Sequence, residues 1–226
     1  MNIGVIGTGS IGSTLIRRLT AAGHHVAMAN SRGPETLTDL AAETGAMPVA
    51  ATEVGHEADV VIVAIPSWAI TTLPDDVLSE LPAGSAVVDT ANYVPHLRDG
   101  AIAELDEGTV ESRWTESHLH RPVVKAFNNI KADHLRMLGK PSGSAGRIAL
   151  PVSGDDPAAK AVVMRLVDQV GFDSIDAGGL ADSWRQQPGT PVYTTDLDAA
   201  GVRQALAAAS FDQTLAWRAR MVPPPA

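Results

Sequence analysis

The first twelve residues constrain this chain more than any other stretch. An apolar run, Ile3 to Ile6, stops at Gly7-x-Gly9-x-x-Gly12, and from Ser10 a helical pattern follows with Ile11, Leu15, Ile16 and Leu19 on one side. Strand, glycine turn and helix, in that order, form the context that a dinucleotide-binding turn requires. Each glycine has its own reason. Gly7 permits the tight turn, Gly9 lets a pyrophosphate approach the backbone, and Gly12 lets the helix pack closely on the strand. Thr8, Ser10 and Ile11 complete the turn. The pyrophosphate then rests on unpaired N–H groups at the positive end of the helix. A glycine turn without a ligand is the bland alternative, and the strand directly before this one makes it the poorer account.

Further along, strands and helices alternate at intervals of about 25 to 35 residues. His25 to Ala29 reads as a second strand and Pro34 to Thr44 as a helix opened by a proline and an acid. Met47 to Ala50 is a short third strand, with a small helix from Thr52. Asp59 to Ile65 is a continuous apolar run of the kind buried on both faces. Pro66 stops it, and helical pieces follow around Trp68 to Thr72 and Asp75 to Leu81. Ser85 to Asp89 and Pro122 to Phe127 are the fifth and sixth strands, the latter leading into a helix through Leu138. Between them, Leu97 to Leu105 has helical character and the polar Glu111 to His120 reads as loop. After the Gly/Ser-rich segment 139–146 come an edge strand (Arg147 to Val152), a helix capped by Asp155-Asp156-Pro157, and a short strand from Asp173 to Ala177. A loop, Gly178 to Pro191, and one long helix, Leu197 to Arg220, complete the pattern, with Pro223 to Pro225 as a frayed tail. The expected architecture is α/β: a Rossmann-type doubly wound, mostly parallel sheet with helices on both faces and a small C-terminal helical and strand extension. Residues 1–146 form the dinucleotide-binding domain. Residues 147–226 form an extension packed on the same sheet, on the acceptor and dimer side.

Composition excludes several classes. A formal net charge of −9, with charges scattered rather than blocked, argues against a nucleic-acid partner. Zero cysteines remove disulfides, thiol catalysis and thiolate metal sites. The seven histidines show no metal spacing, and His118-x-His120 reads as loop, so no metal is expected. Met1 runs directly into the first strand and no apolar run reaches the ~18–20 residues of a membrane span, so the expectation is a cytoplasmic protein with no membrane partner.

In open α/β sheets, ligands bind outside the carboxyl ends of the strands. That rule directs attention to Gly7–Gly12, Asn30–Arg32, Ile65–Trp68, Thr90–Asn92 and Lys125–Asn129. After the second strand an NAD-binding chain usually places an acid to bond the ribose hydroxyls. Here Asn30-Ser31-Arg32 stands instead, with no carboxylate before Glu35. A hydroxyl and a guanidinium suit a 2′-phosphate that a carboxylate would repel, so the loop reads as NADP(H)-specific. Ile65, Pro66, Ala91 and Asn92 follow the fourth and fifth strands, where the chain passes the nicotinamide half. Trp68 is either a platform for a ring or a core residue. Lys125 and Asn128 are the candidates for chemistry, Lys125 as a proton donor or an ion-pair partner and Asn128 through its amide.

Taken together and in order, GTGSIG, NSRGPETL, AIPSWA, VVKAFNNI and IDAGGLADS resemble the coenzyme F-420-dependent NADP reductases over nearly the whole chain. The set is also similar to the cytosolic NADPH reductase domain of six-transmembrane metalloreductases. The resemblance implies that Thr8, Ser10 and Ile11 line the pyrophosphate, that Ser31 and Arg32 hold the 2′-phosphate, and that Ile65 and Pro66 border the nicotinamide. It also implies a coenzyme F-420 or flavin acceptor, and a homodimer formed through the part from Asp176 onward. Two positions depart from the pattern: Asn128 stands where deazaflavin-using members often carry His, and Thr36 replaces a second basic residue. Three functions follow. The first is an oxidoreductase passing hydride between NADPH and a flavin or deazaflavin-type ring. The others are a reductase of a small imine or carbonyl, which needs a proton donor, and a non-catalytic NADPH sensor.

Overall fold

The central strands are short apolar runs with β-branched residues, and they pair side by side in parallel. The computed structural model describes residues 1–220; the expected proline tail lies outside the described residues. The strands are β1 (Asn2–Ile6), β2 (His25–Ala29), β3 (Met47–Pro48), β4 (Val60–Val63), β5 (Ala86–Asp89), β6 (Val123–Lys125), β7 (Ala149–Val152) and β8 (Asp173–Asp176). The helices are α1 (Ser10–Ala21), α2 (Thr38–Thr44), α3 (Ser67–Ile70), α4 (Ala103–Asp106), α5 (Glu111–Leu119), α6 (Ala132–Met137), α7 (Pro157–Gln169), α8 (Ala199–Ala207) and α9 (Phe211–Arg220).

The first six strands form one sheet in the order β3-β2-β1-β4-β5-β6, every pair parallel. This is the Rossmann order, and the reversal between β1 and β4 opens a crevice at their carboxyl ends. Alternation along β4 accounts for burial on both faces. Val60 and Ile62 join a core with Leu15, Ile16, Leu19, Val163 and Leu166, while Val61 and Val63 join another with Leu78, Tyr93, Leu105 and Trp114. Aliphatic side chains dominate both layers, as a chain with 4% aromatic residues requires.

The strands after residue 146 do not extend this sheet. β7 and β8 pair only with each other, as a two-stranded parallel sheet. An antiparallel bridge links it to the end of β6, with Lys125 N–H donating to Ser153 O (2.8 Å) and Ser153 N–H to Lys125 O (3.1 Å). The Asp156 carboxylate caps α7 by accepting from the N–H groups of Ala158 and Ala159. Helix α7 then covers the same face of the main sheet as α1.

Several expected elements differ. The segment expected as polar loop, Glu111 to His120, is helix α5, so His118 is helical. Its inward residues are Glu111, Ser112, Trp114, Thr115 and Leu119, a helical spacing with polar members. The loop expected over Gly178 to Pro191 holds a 3₁₀ helix at Leu180–Gln186, and the helix expected at Asp75 to Leu81 is a run of turns. The single final helix is two. Ser210 N–H donates to Gln213 Oε1 (2.9 Å) and Gln213 N–H to Ser210 O (3.0 Å), and this reciprocal cap starts α9 afresh. Val202 and Leu206 on α8 are buried, while Leu215 on α9 is exposed. Among the described residues no helix is long and apolar enough to cross a membrane.

Candidate functional site

The glycine turn is built as its spacing requires. Gly7 has φ +100°, and a Cβ there would overlap the Ala64 carbonyl across the crevice. On Gly12 a Cβ would overlap the Gly7 carbonyl oxygen, so only glycine lets α1 start this close to β1. Gly9 is different. Its φ of −69° suits any residue, and a Cβ there would meet no heavy atom within 4 Å. Of the described glycines with such open space, every other one has positive φ. Neither conformation nor packing within the chain demands a glycine at position 9. A ligand lying on the turn would.

Helix α1 offers that ligand its amino end. The first helical hydrogen bond is Ser13 N–H to Gly9 O, leaving the N–H groups of Ser10, Ile11 and Gly12 ahead of the ladder. No side chain caps them, and no acid sits in the first turn. These are the conditions that favour a phosphate.

The loop after β2 closes through Asn30. Its Oδ1 accepts from Arg32 N–H (2.8 Å), and its Nδ2 donates to Thr36 Oγ1 (2.9 Å) and, at 3.5 Å, to Thr8 Oγ1. Ser31 and Arg32 are exposed, and their side chains make no hydrogen bond or ion pair among the described residues. Glu35 folds back over Gly33 without pairing with Arg32.

Gly7, Thr8, Gly9, Asn30, Ser31, Arg32, Ile65 and Pro66 line one cleft of about 740 Å³. That is within the range of small-molecule sites. Ala50, Ala51, Ala69, Thr72, Leu73 and Pro74 form the rest of its lining. Trp68 is not core: it is 47% exposed and lines the same cleft.

Ala91, Asn92, Lys125 and Asn128 lie elsewhere. Lys125 is fully buried, its ammonium 3.1 Å from an Asp89 carboxylate oxygen and bonded to the Ala91 carbonyl. Asp89 also accepts from Ser112 Oγ (2.8 Å) and Ala91 N–H (2.8 Å). Asn128 Nδ2 donates to Asn92 Oδ1 (3.0 Å) and Gln186 O (2.7 Å), and its own Oδ1 accepts from Gln186 Nε2 (3.0 Å). Asn92 Nδ2 in turn donates to Asn128 O (2.8 Å). The two candidates for chemistry are thus spent inside the protein. The signal for this was the acid ending β5, directly across the parallel register from Lys125.

Among the described residues, Arg32 is the only ionisable side chain lining the cleft. No group of three or more potential ligands is placed to hold a metal ion among the described residues.

Comparison with known proteins bears on this arrangement. Residues 2–93, which hold the glycine turn, the Asn30–Arg32 loop and the β4 end, match the model of the family described as NADP oxidoreductase, coenzyme F-420-dependent. The crystal structure of protein SMa0349 from Sinorhizobium meliloti is similar at 30% identity and a TM-score of 0.73, covering 87% of this chain and 95% of that one. A candidate F-420-dependent NADP-reductase from Arthrobacter sp. FB24 is similar at 26% identity and a TM-score of 0.64, covering 81% and 87%. The part of the chain that carries the glycine turn is thus similar to the coenzyme F-420-dependent NADP oxidoreductases. The chain is also 48% identical to the protein YjhV of Escherichia coli K12 over 85 residues, 38% of this chain and 55% of that one. The chain thus spans about half the length of that curated relative. The uncapped α1 terminus, the bare Gly9 and the unpaired Arg32 fit the NADP cofactor of the family that residues 2–93 match.

Proposed function

We propose that this protein is an NADPH-dependent oxidoreductase whose hydride acceptor is a flavin or deazaflavin-type ring. The observation that carries the proposal is that, among the described residues, no ionisable side chain other than Arg32 lines the cleft. Reduction of an imine or carbonyl calls for a proton donor beside the nicotinamide, and general acid catalysis is worth roughly 10²–10⁴-fold. Transfer between two stacked rings depends on positioning and on exclusion of water instead. NADPH, when bound, supplies the hydride. The chain's own residues hold and orient it: the α1 amino end and the Gly7–Gly9 backbone face the pyrophosphate, Ser31 and Arg32 bind the 2′-phosphate, and Ile65 and Pro66 border the nicotinamide side.

Two measurements test this reading. Arg32→Ala weakens NADPH binding by roughly 1.5–3 kcal/mol, the range for charge-assisted hydrogen bonds, and leaves NADH nearly unchanged in a fluorescence titration. Equal losses for both cofactors defeat the NADP assignment. Single-turnover oxidation of bound NADPH against a panel of flavins, F-420 and small carbonyls then selects the acceptor. Turnover with small carbonyls alone would overturn the ring-acceptor reading, and no oxidation by any of them would favour the sensor.

A further inference from the structure

The side chain at the end of β2 sits where a dinucleotide site is usually read for direct contact with the ribose. In this protein Asn30 has little left to offer a ligand. Its carbonyl oxygen accepts from Arg32 N–H at 2.8 Å, and its amide nitrogen donates to Thr36 at 2.9 Å and toward Thr8 at 3.5 Å. Thr36 Oγ1 donates onward to Gly33 O (2.8 Å), and Gly33 turns the chain at φ +96°. Asn30, Arg32, Gly33 and Thr36 thus close a hydrogen-bonded ring. Ser31 and Arg32 project from it with side chains bonded to nothing among the described residues. The reach toward Thr8 brings the same amide up to the glycine turn.

Resting on the NADPH reading above, we infer that Asn30 is a positioning residue that sets cofactor choice through the Ser31–Arg32 turn rather than by touching the cofactor. An exposed guanidinium loses much of its affinity to the entropy of ordering it and the backbone beneath. Fixing the turn before binding removes the backbone part of that cost. Only the 2′-phosphate benefits, because only that group is held by the turn.

The test uses the intact chain and two probes that differ in one group, adenosine 2′,5′-bisphosphate and adenosine 5′-monophosphate, each titrated calorimetrically. Asn30→Ala is expected to weaken the bisphosphate roughly 5- to 30-fold, the size of one or two hydrogen bonds, and to leave the monophosphate within about twofold. Thr36→Val, which keeps shape and removes the hydroxyl, is expected to act in the same direction. Because the two residues share one ring, the double variant should lose less than the product of the single losses. Thermal melts establish that each variant is folded. Asn30→Ala with the wild-type preference intact, or with both probes weakened equally, overturns the inference. Arg32→Ala separates the two levels of failure. If it abolishes the preference while Asn30→Ala does not, the NADPH reading stands and the role of Asn30 falls. If the wild type itself shows no preference, both fall.

Discussion

Lys125 and Asp89 face each other across the parallel register of β5 and β6 with both side chains fully sealed from water. Removing one partner strands the other charge, which typically destabilises by roughly 3–5 kcal/mol. Lys125→Met should therefore lower the urea midpoint sharply, and Asp89→Asn added to it should recover part of the loss. Hydride transfer in the fraction that remains folded should persist, because the ammonium bonds the Ala91 carbonyl and does not line the cleft. A rate loss of 10²-fold or more in folded Lys125→Met would restore the lysine as a proton donor. Side-chain chemistry at this position was readable from the sequence only as two alternatives, proton donor or ion pair. Burial decides between them.

At the scale of elements, the glycine turn separates two kinds of constraint. Gly12→Ala forces a Cβ onto the Gly7 carbonyl, so α1 must shift from β1. Overpacking of this sort typically costs about 1–3 kcal/mol. Gly9→Ala meets no protein atom at a φ of −69°, and its restricted unfolded chain favours folding by roughly 0.4–1 kcal/mol. A thermal melt should rank Gly9→Ala at or above the wild type and Gly12→Ala below it. NADPH titration should show affinity lost at Gly9 even though stability is not. Helix α5 shows the opposite case, an element that local sequence hides. Its inward side carries Glu111 and Ser112, tolerable only because Arg218 (2.8 Å) and Asp89 (2.8 Å) satisfy them. Without those partners in view, a polar stretch looks like loop.

Across the whole molecule, ion pairs tie the part after residue 146 to the sheet domain. Arg218 on α9 reaches buried Glu111, and Arg113 on α5 reaches Asp155 (2.5 Å). The Leu180 N–H and the Arg113 guanidinium hold the Asp155 carboxyl below the usual carboxylate range. At Asp176 partial burial pushes the carboxyl up, but the Lys160 ammonium and the Gly178 N–H together outweigh it and leave the group below its usual range. Both groups are favoured as anions in the folded state. Their contribution is complete above the ordinary carboxylate pKa near 4 and is lost as pH falls through the lower folded values. The melting temperature should therefore drop on acidification below about pH 4, and Asp155→Asn should flatten that drop while lowering stability at neutral pH. An unchanged acid profile in Asp155→Asn would show that this clamp adds nothing.

What the sequence determined by itself is whatever lies in one contiguous stretch: the strand, glycine turn and helix at the start, the apolar runs of the sheet, and the Ser31–Arg32 loop without an acid. Strand propensity, backbone freedom at glycine and helix capping act over a few residues, so their outcome is written locally. Tertiary structure decided the rest, because the partners are distant. Lys125 meets Asp89 from 36 positions away, Asn128 meets Gln186 from 58, and Arg218 meets Glu111 from 107. A polar side chain can be a catalyst, a ligand contact or a buried brace with the same neighbours in sequence. The three differ in which groups satisfy its hydrogen bonds and whether water reaches it, and only the folded chain sets those.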